Sequence, residues 1–182
     1  NPIPVRGVQD ATATENLEHY ARGLRHSDNA MRHFVRTLKA TEEETLVVFY
    51  GDHLPPVWPP STLSARARHE TPFFVHANFD LPKAERLPTT SPIYFMNHVL
   101  RSTDAVVPPY YALLQRLEQQ VPAMGQTAMI GPDDQRLSKD RLPARARHLL
   151  RDYRLVQYDL SIGRRYAEDG MFDATPGRPG GH

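Results

Sequence analysis

Thr45-Leu46-Val47-Val48-Phe49-Tyr50-Gly51-Asp52-His53 joins an unbroken apolar run to two adjacent metal-ligand side chains. Six apolar or β-branched residues without polar alternation suit a strand covered on both faces, as in the parallel sheet of an α/β domain. Ligands of such sheets gather at the carboxyl ends of the strands, where this run delivers a carboxylate and an imidazole side by side. Gly51 lets the chain bend there, so the two side chains need not alternate up and down and can address one ion. An oxygen and an imidazole nitrogen suit manganese, zinc or magnesium acting as a Lewis acid on phosphoryl or sulfuryl oxygens. Two ligands do not complete a coordination sphere, so others must come from elsewhere.

Working outward, Thr12-Ala13-Thr14-Glu15 has capping-box spacing and opens a helix running to about Lys39. Its apolar stripe (Leu17, Tyr20, Ala21, Leu24, Met31, Phe34, Val35, Leu38) is expected to pack on the sheet. Asp28 falls in that stripe, as a structural acceptor or a group supporting the site, the structural reading being preferred. His19, His26 and His33 recur every seven residues. That is about 10 Å along the axis, whereas two histidines chelating one ion sit about one turn apart, so they read as a solvated face.

Beyond His53, the proline-dense loop 54–60 carries Trp58, either a cover for a ligand or a packing anchor. Arg66 and Arg68 precede a second strand, 71–77, and read as solvated, although they could meet an anionic head group. His69 lies in the loop near the motif, and His76 reads as a packed histidine with its tip hydrogen-bonded; neither is assigned to catalysis. Helices are expected over 91–101 and 109–120, a short strand over 127–130, a helix from Pro143 through about Tyr153, and a disordered tail from Asp173.

Composition bounds the function. The chain has 182 residues, 40% of them hydrophobic and 24% charged, as expected of a globular domain. A formal net charge of +1 gives no bulk attraction to nucleic acid. The absence of cysteine excludes disulfides, thiolate metal sites and a cysteine nucleophile, and fits an extracytoplasmic location. No apolar stretch approaches a bilayer span. The start at Asn1-Pro2-Ile3-Pro4, without methionine, is that expected of a piece of a longer polypeptide.

The order of segments resembles the lipoteichoic acid synthase-like branch of the sulfatase and alkaline phosphatase superfamily over roughly residues 12–172. The likeness rests on Tyr20, His26-Ser27-Asp28-Asn29-Ala30, Val47 through Pro55, Thr71 through Val75 and Ala77-Asn78-Phe79-Asp80-Leu81. Ser91-Pro92, Pro108-Pro109-Tyr110-Tyr111, Val156-Gln157-Tyr158-Asp159, Gly163 and Tyr166 extend it. The resemblance implies an alkaline-phosphatase-like α/β fold, its mixed sheet flanked by helices and incomplete here. Residues 1–122 would be the C-terminal half of the catalytic domain, 123–172 a small α+β subdomain, and 173–182 a tail. It further implies transfer of glycerol phosphate from a lipid-linked donor through a covalent threonine intermediate, in a protein anchored in the membrane and facing the cell envelope. Asp52 and His53 match the family's paired metal ligands, usually to manganese, with magnesium, zinc or calcium as alternatives. The nucleophile and the other ligands would lie upstream of residue 1. A sulfatase or phosphodiesterase of the same superfamily, and a non-catalytic binding module, are the competing expectations.

Overall fold

The computed structural model describes residues 3–58, 63–64, 66–81, 87–125 and 128–173. The chain forms two compact units, Asn1–Asp80 and Leu81–His182. In the first, helix α1 (Ala11–Lys39) precedes strand β1 (Leu46–Tyr50), which pairs with β2 (Phe73–Ala77). The expected capping box gives way to Asp10, whose Oδ1 accepts the Ala13 N–H at 2.6 Å. Aspartate is at least as good an N-cap as threonine, so the earlier residue takes the position.

Strand β1 is not a parallel strand covered on both faces. It runs antiparallel to β2, in register from Leu46 opposite Ala77 to Tyr50 opposite Phe73. Phe49 and Tyr50 are exposed, and Phe49 stacks on Phe74 with ring centroids 5.0 Å apart. The unalternating apolar run therefore describes a ribbon with aromatic surface in the open. In the α1 stripe only Leu17 and Leu38 are buried, while Leu24 and Phe34 are exposed. Length explains why the whole stripe cannot rest on this ribbon. A 29-residue helix spans about 43 Å, and a five-residue strand only about 17 Å.

Asn78 fastens this unit. Its Oδ1 accepts the Thr45 N–H at 2.7 Å, and its Nδ2 faces the carbonyls of Leu38, Thr41 and Glu43 at 3.2, 3.1 and 2.8 Å. One amide thus ties the end of α1 and the entry to β1 to the exit of β2, satisfying carbonyls that a helix terminus leaves open.

The second unit contains α2 (Phe95–Ser102), led in by a 3₁₀ turn at Pro92–Tyr94, and α3 (Pro109–Glu118). A small antiparallel sheet β3-β4-β5 (Ala123–Met124, Met129–Ile130, Arg136–Leu137) follows, then α4 (Ala144–Ser161) and the short α5 (Glu168–Met171). Helix α4 continues two turns past the expected end at Tyr153. Tyr94, Leu114, Leu117, Val121, Met129, Leu142, Ala146 and Leu150 form one buried core, which runs across the boundary expected at residue 122. The Tyr94 hydroxyl donates to the Val121 carbonyl at 3.0 Å, and its pKa is raised, first by burial and then by Glu118 and Tyr153. Thr127 of the expected strand and the tail from residue 174 lie outside the described residues. Among the described residues no helix is long and apolar enough to cross a membrane.

Candidate metal centre

The turn that presents Asp52 and His53 is set by a close backbone approach. Gly51 N–H donates to the Pro72 carbonyl at 3.0 Å, and the Thr71 hydroxyl donates to the Gly51 carbonyl at 2.6 Å. A Cβ on Gly51 would lie 2.9 Å from Thr71 Cβ. Glycine is needed here because the Thr71 side chain, two residues ahead of β2, lies so near, which differs from the conformational freedom expected of it.

Local hydrogen bonds then decide which atoms remain available. Asp52 Oδ1 accepts the His53 backbone N–H at 2.8 Å, leaving Oδ2 outward. His53 Nδ1 lies 3.0 Å from the Leu54 carbonyl, which only accepts, so in the neutral ring Nδ1 carries the hydrogen and Nε2 the lone pair. These two outward atoms, Oδ2 and Nε2, are 3.5 Å apart. Ligands each roughly 2.1 Å from one cation stand about 3.0 Å apart in octahedral and about 3.4 Å in tetrahedral coordination. The pair therefore fits a shared divalent ion with little adjustment. Both side chains are open to solvent, 82% exposed for Asp52 and 73% for His53. Among the described residues no cluster of three or more histidine, cysteine or acidic residues forms a complete metal sphere.

The other residues singled out from sequence lie apart from this pair in role. Asp28 is exposed and pairs with Arg32 at 2.7 Å, a surface ion pair one helical turn long. His19, His26 and His33 are exposed along α1, as a solvated face requires. Arg66 Nε donates to Glu70 Oε1 at 2.5 Å, and Arg68 Nε donates to the Leu63 carbonyl at 3.3 Å. His69 is exposed in the 3₁₀ turn Ala67–His69, and Trp58 lies at the surface. His76 Nε2 is buried with no hydrogen-bond partner among the described residues, contrary to the bonded tip expected of it.

Sequence reading missed a buried polar network in the second unit. His98 Nε2 lies 3.2 Å from Glu118 Oε1, and His98 Nδ1 lies 2.8 Å from Arg101 Nη2. Arg101 and Asn97 also donate to Glu118, each at 3.0 Å. Arginine only donates, so Nδ1 is the acceptor and Nε2 carries the hydrogen toward Glu118. Burial holds the His98 pKa below its ordinary 6.5, against the raising effect of Glu118 and with help from Arg101. The spacing of Asn97, His98 and Arg101 on one helical turn was the available signal; their partner Glu118 lies 17 residues beyond Arg101.

Comparison with known proteins gives the family and the fold. The sulfatase family model matches residues 3–105, more than half of the chain. The chain belongs to the sulfatase family. A Rhizobium meliloti (strain 1021) protein named for cyclic beta-1,2-glucan modification is 26% identical over 192 residues, covering 94% of this chain and 29% of that protein. The structure of the Streptococcus pyogenes phosphoglycerol transferase GacH in complex with sn-glycerol-1-phosphate is 27% identical. It superimposes with a TM-score of 0.76 over 93% of this chain and 42% of its own. The fold is thus the alkaline-phosphatase-like α/β fold expected from sequence, with small antiparallel sheets flanked by helices. The chain spans less than half the length of either relative.

Proposed function

We propose that this sulfatase-family chain is the C-terminal part of a metal-dependent phosphoglycerol transferase, in which Asp52 Oδ2 and His53 Nε2 hold one divalent cation, manganese in the first instance. The observation carrying this reading is the 3.5 Å separation of two outward ligand atoms whose neighbours on the same side chains are already engaged. The GacH likeness supports a phosphoglycerol donor, because that relative is itself bound to glycerol-1-phosphate. The relative named for glucan modification supports a carbohydrate hydroxyl as acceptor.

A bound cation supplies Lewis acidity to the phosphoryl oxygens. The chain's own residues orient the ligands. The His53 backbone N–H holds the Asp52 carboxylate, the Leu54 carbonyl fixes the imidazole tautomer, and the Thr71–Gly51 bond fixes the turn. Further ligands, the hydroxyl nucleophile and the membrane anchor belong, in this reading, to the longer polypeptide. Manganese titration of that full-length protein tests the assignment. Asp52→Asn should weaken affinity by about tenfold or more, and unchanged affinity would refute it.

A further inference from the structure

The second unit carries a surface that the proposed metal chemistry leaves unused. Helix α4 buries Ala146 and Leu150 and turns the opposite side outward. Along that outward side His148, Arg151, Leu155, Tyr158 and Ile162 follow at intervals of three and four residues, the spacing of one helical face. Leu155 and Tyr158 are each 59% exposed, Ile162 is 74% exposed, and Tyr166 just beyond is 76% exposed.

The turn after α4 is closely held. The N–H groups of Ile162 and Gly163 both donate to the Tyr158 carbonyl, at 3.0 and 2.9 Å, and a Cβ on Gly163 would lie 2.5 Å from Asp159 Cα. Asp159 Oδ2 accepts the Ala167 N–H at 2.8 Å, fixing the segment that bears Tyr166. The apolar cluster is therefore displayed by ordered backbone.

Charge decides what such a face would meet. Residues 141–168 contain seven arginines against three acidic residues. Those three are spoken for locally: Asp152 pairs with Arg151 at 3.3 Å, Glu168 with Arg165 at 3.0 Å, and Asp159 holds Ala167. Arg154 precedes the apolar cluster and Arg164, which donates to the Tyr166 hydroxyl at 3.3 Å, follows it, beside Arg151 and Arg165, which the acids already engage. Aliphatic side chains, tyrosines and flanking arginines are what an anionic bilayer surface selects, with apolar groups entering the acyl boundary, tyrosines at head-group level and guanidinium groups on phosphates.

We propose that the outward face of α4, together with Tyr166, docks peripherally on an anionic lipid surface. The inference is independent of the cation assigned to Asp52 and His53, so it is tested in the presence of a chelator. The 182-residue chain is sedimented with vesicles of equimolar phosphatidylglycerol and phosphatidylcholine, and with phosphatidylcholine alone, at physiological salt. Circular dichroism verifies that each variant is folded. Binding to the anionic vesicles should fall about tenfold or more in Leu155→Ser/Ile162→Ser, through lost apolar insertion. It should fall comparably in Arg154→Glu/Arg164→Glu. Three results would overturn the proposal: no vesicle binding, binding indifferent to the apolar double variant, or self-association of the chain that this variant abolishes without any vesicle binding. The last would assign the face to a second copy.

Discussion

Among the described residues, a carboxylate–imidazole pair from each unit, Asp52–His53 and Glu118–His98, can be set side by side, and their surroundings make them opposites. Asp52 and His53 stand 3.5 Å apart at 82% and 73% exposure, while Glu118 and His98 stand 3.2 Å apart at 12% and 3% exposure. The first pair turns an oxygen and a nitrogen outward, with its remaining polar atoms tied to neighbouring backbone. The second has nearly every polar atom consumed by Arg101, Asn97 and Thr90. The same two functional groups can hold a fold together or wait for a ligand, and burial with partner count separates the roles. A buried carboxylate without partners is costly, so the three donors around Glu118 make this network a structural device, although Asn97 Oδ1 is buried with no hydrogen-bond partner among the described residues. An exposed pair gives little stability and remains available for coordination.

Breaking the buried network should have the largest effect. Glu118→Ala leaves Arg101, Asn97 and His98 without their shared acceptor and should destabilise the chain by about 3 kcal/mol, read from urea unfolding; a loss below about 1 kcal/mol would contradict a structural role. Asn78→Ala removes the amide that joins α1, β1 and β2. It should cost about 2 kcal/mol, and amide exchange should accelerate in β1 and β2 while the core around Leu114 and Leu117 stays protected.

The comparison sharpens with pH. His98 is held below 6.5 in the folded chain, so the unfolded chain binds the proton more readily. Stability is therefore complete above pH 6.5 and declines as pH falls through 6.5 toward the folded value, by at most about 1.4 kcal/mol per pH unit. His98→Gln should remove that part of the slope in an unfolding series across pH. The smallest effect belongs to the exposed pair. Asp52→Asn should change unfolding free energy by less than about 0.5 kcal/mol, a null result that separates ligation from folding.

Much of this arrangement was legible in the sequence. Apolar spacing marked α1, α3 and the body of α4, and β-branched or aromatic runs marked β1 and β2, because those signals are local. The place of Asp52 and His53, adjacent just beyond the end of β1, was legible for the same reason, and their role as ligands stays a proposal. The antiparallel pairing of β1 was not, since an unbroken apolar run reports hydrophobicity on both faces and not what covers them. The last two turns of α4 escaped because Leu155, Tyr158 and Ile162 continue the helix on its outward side instead of the core stripe. His98 and Asn78 show the other limit. Their roles depend on partners 20 to 40 residues away, which spacing along one element does not reveal.

Pulsed electron paramagnetic resonance of manganese bound to the full-length protein is the most direct test of the central claim. Hyperfine coupling to an imidazole nitrogen is expected, and it should disappear in His53→Gln while the fold is unchanged. Coupling that persists in that variant, or its absence in the unsubstituted protein with manganese bound, would contradict the claim that His53 Nε2 is a ligand.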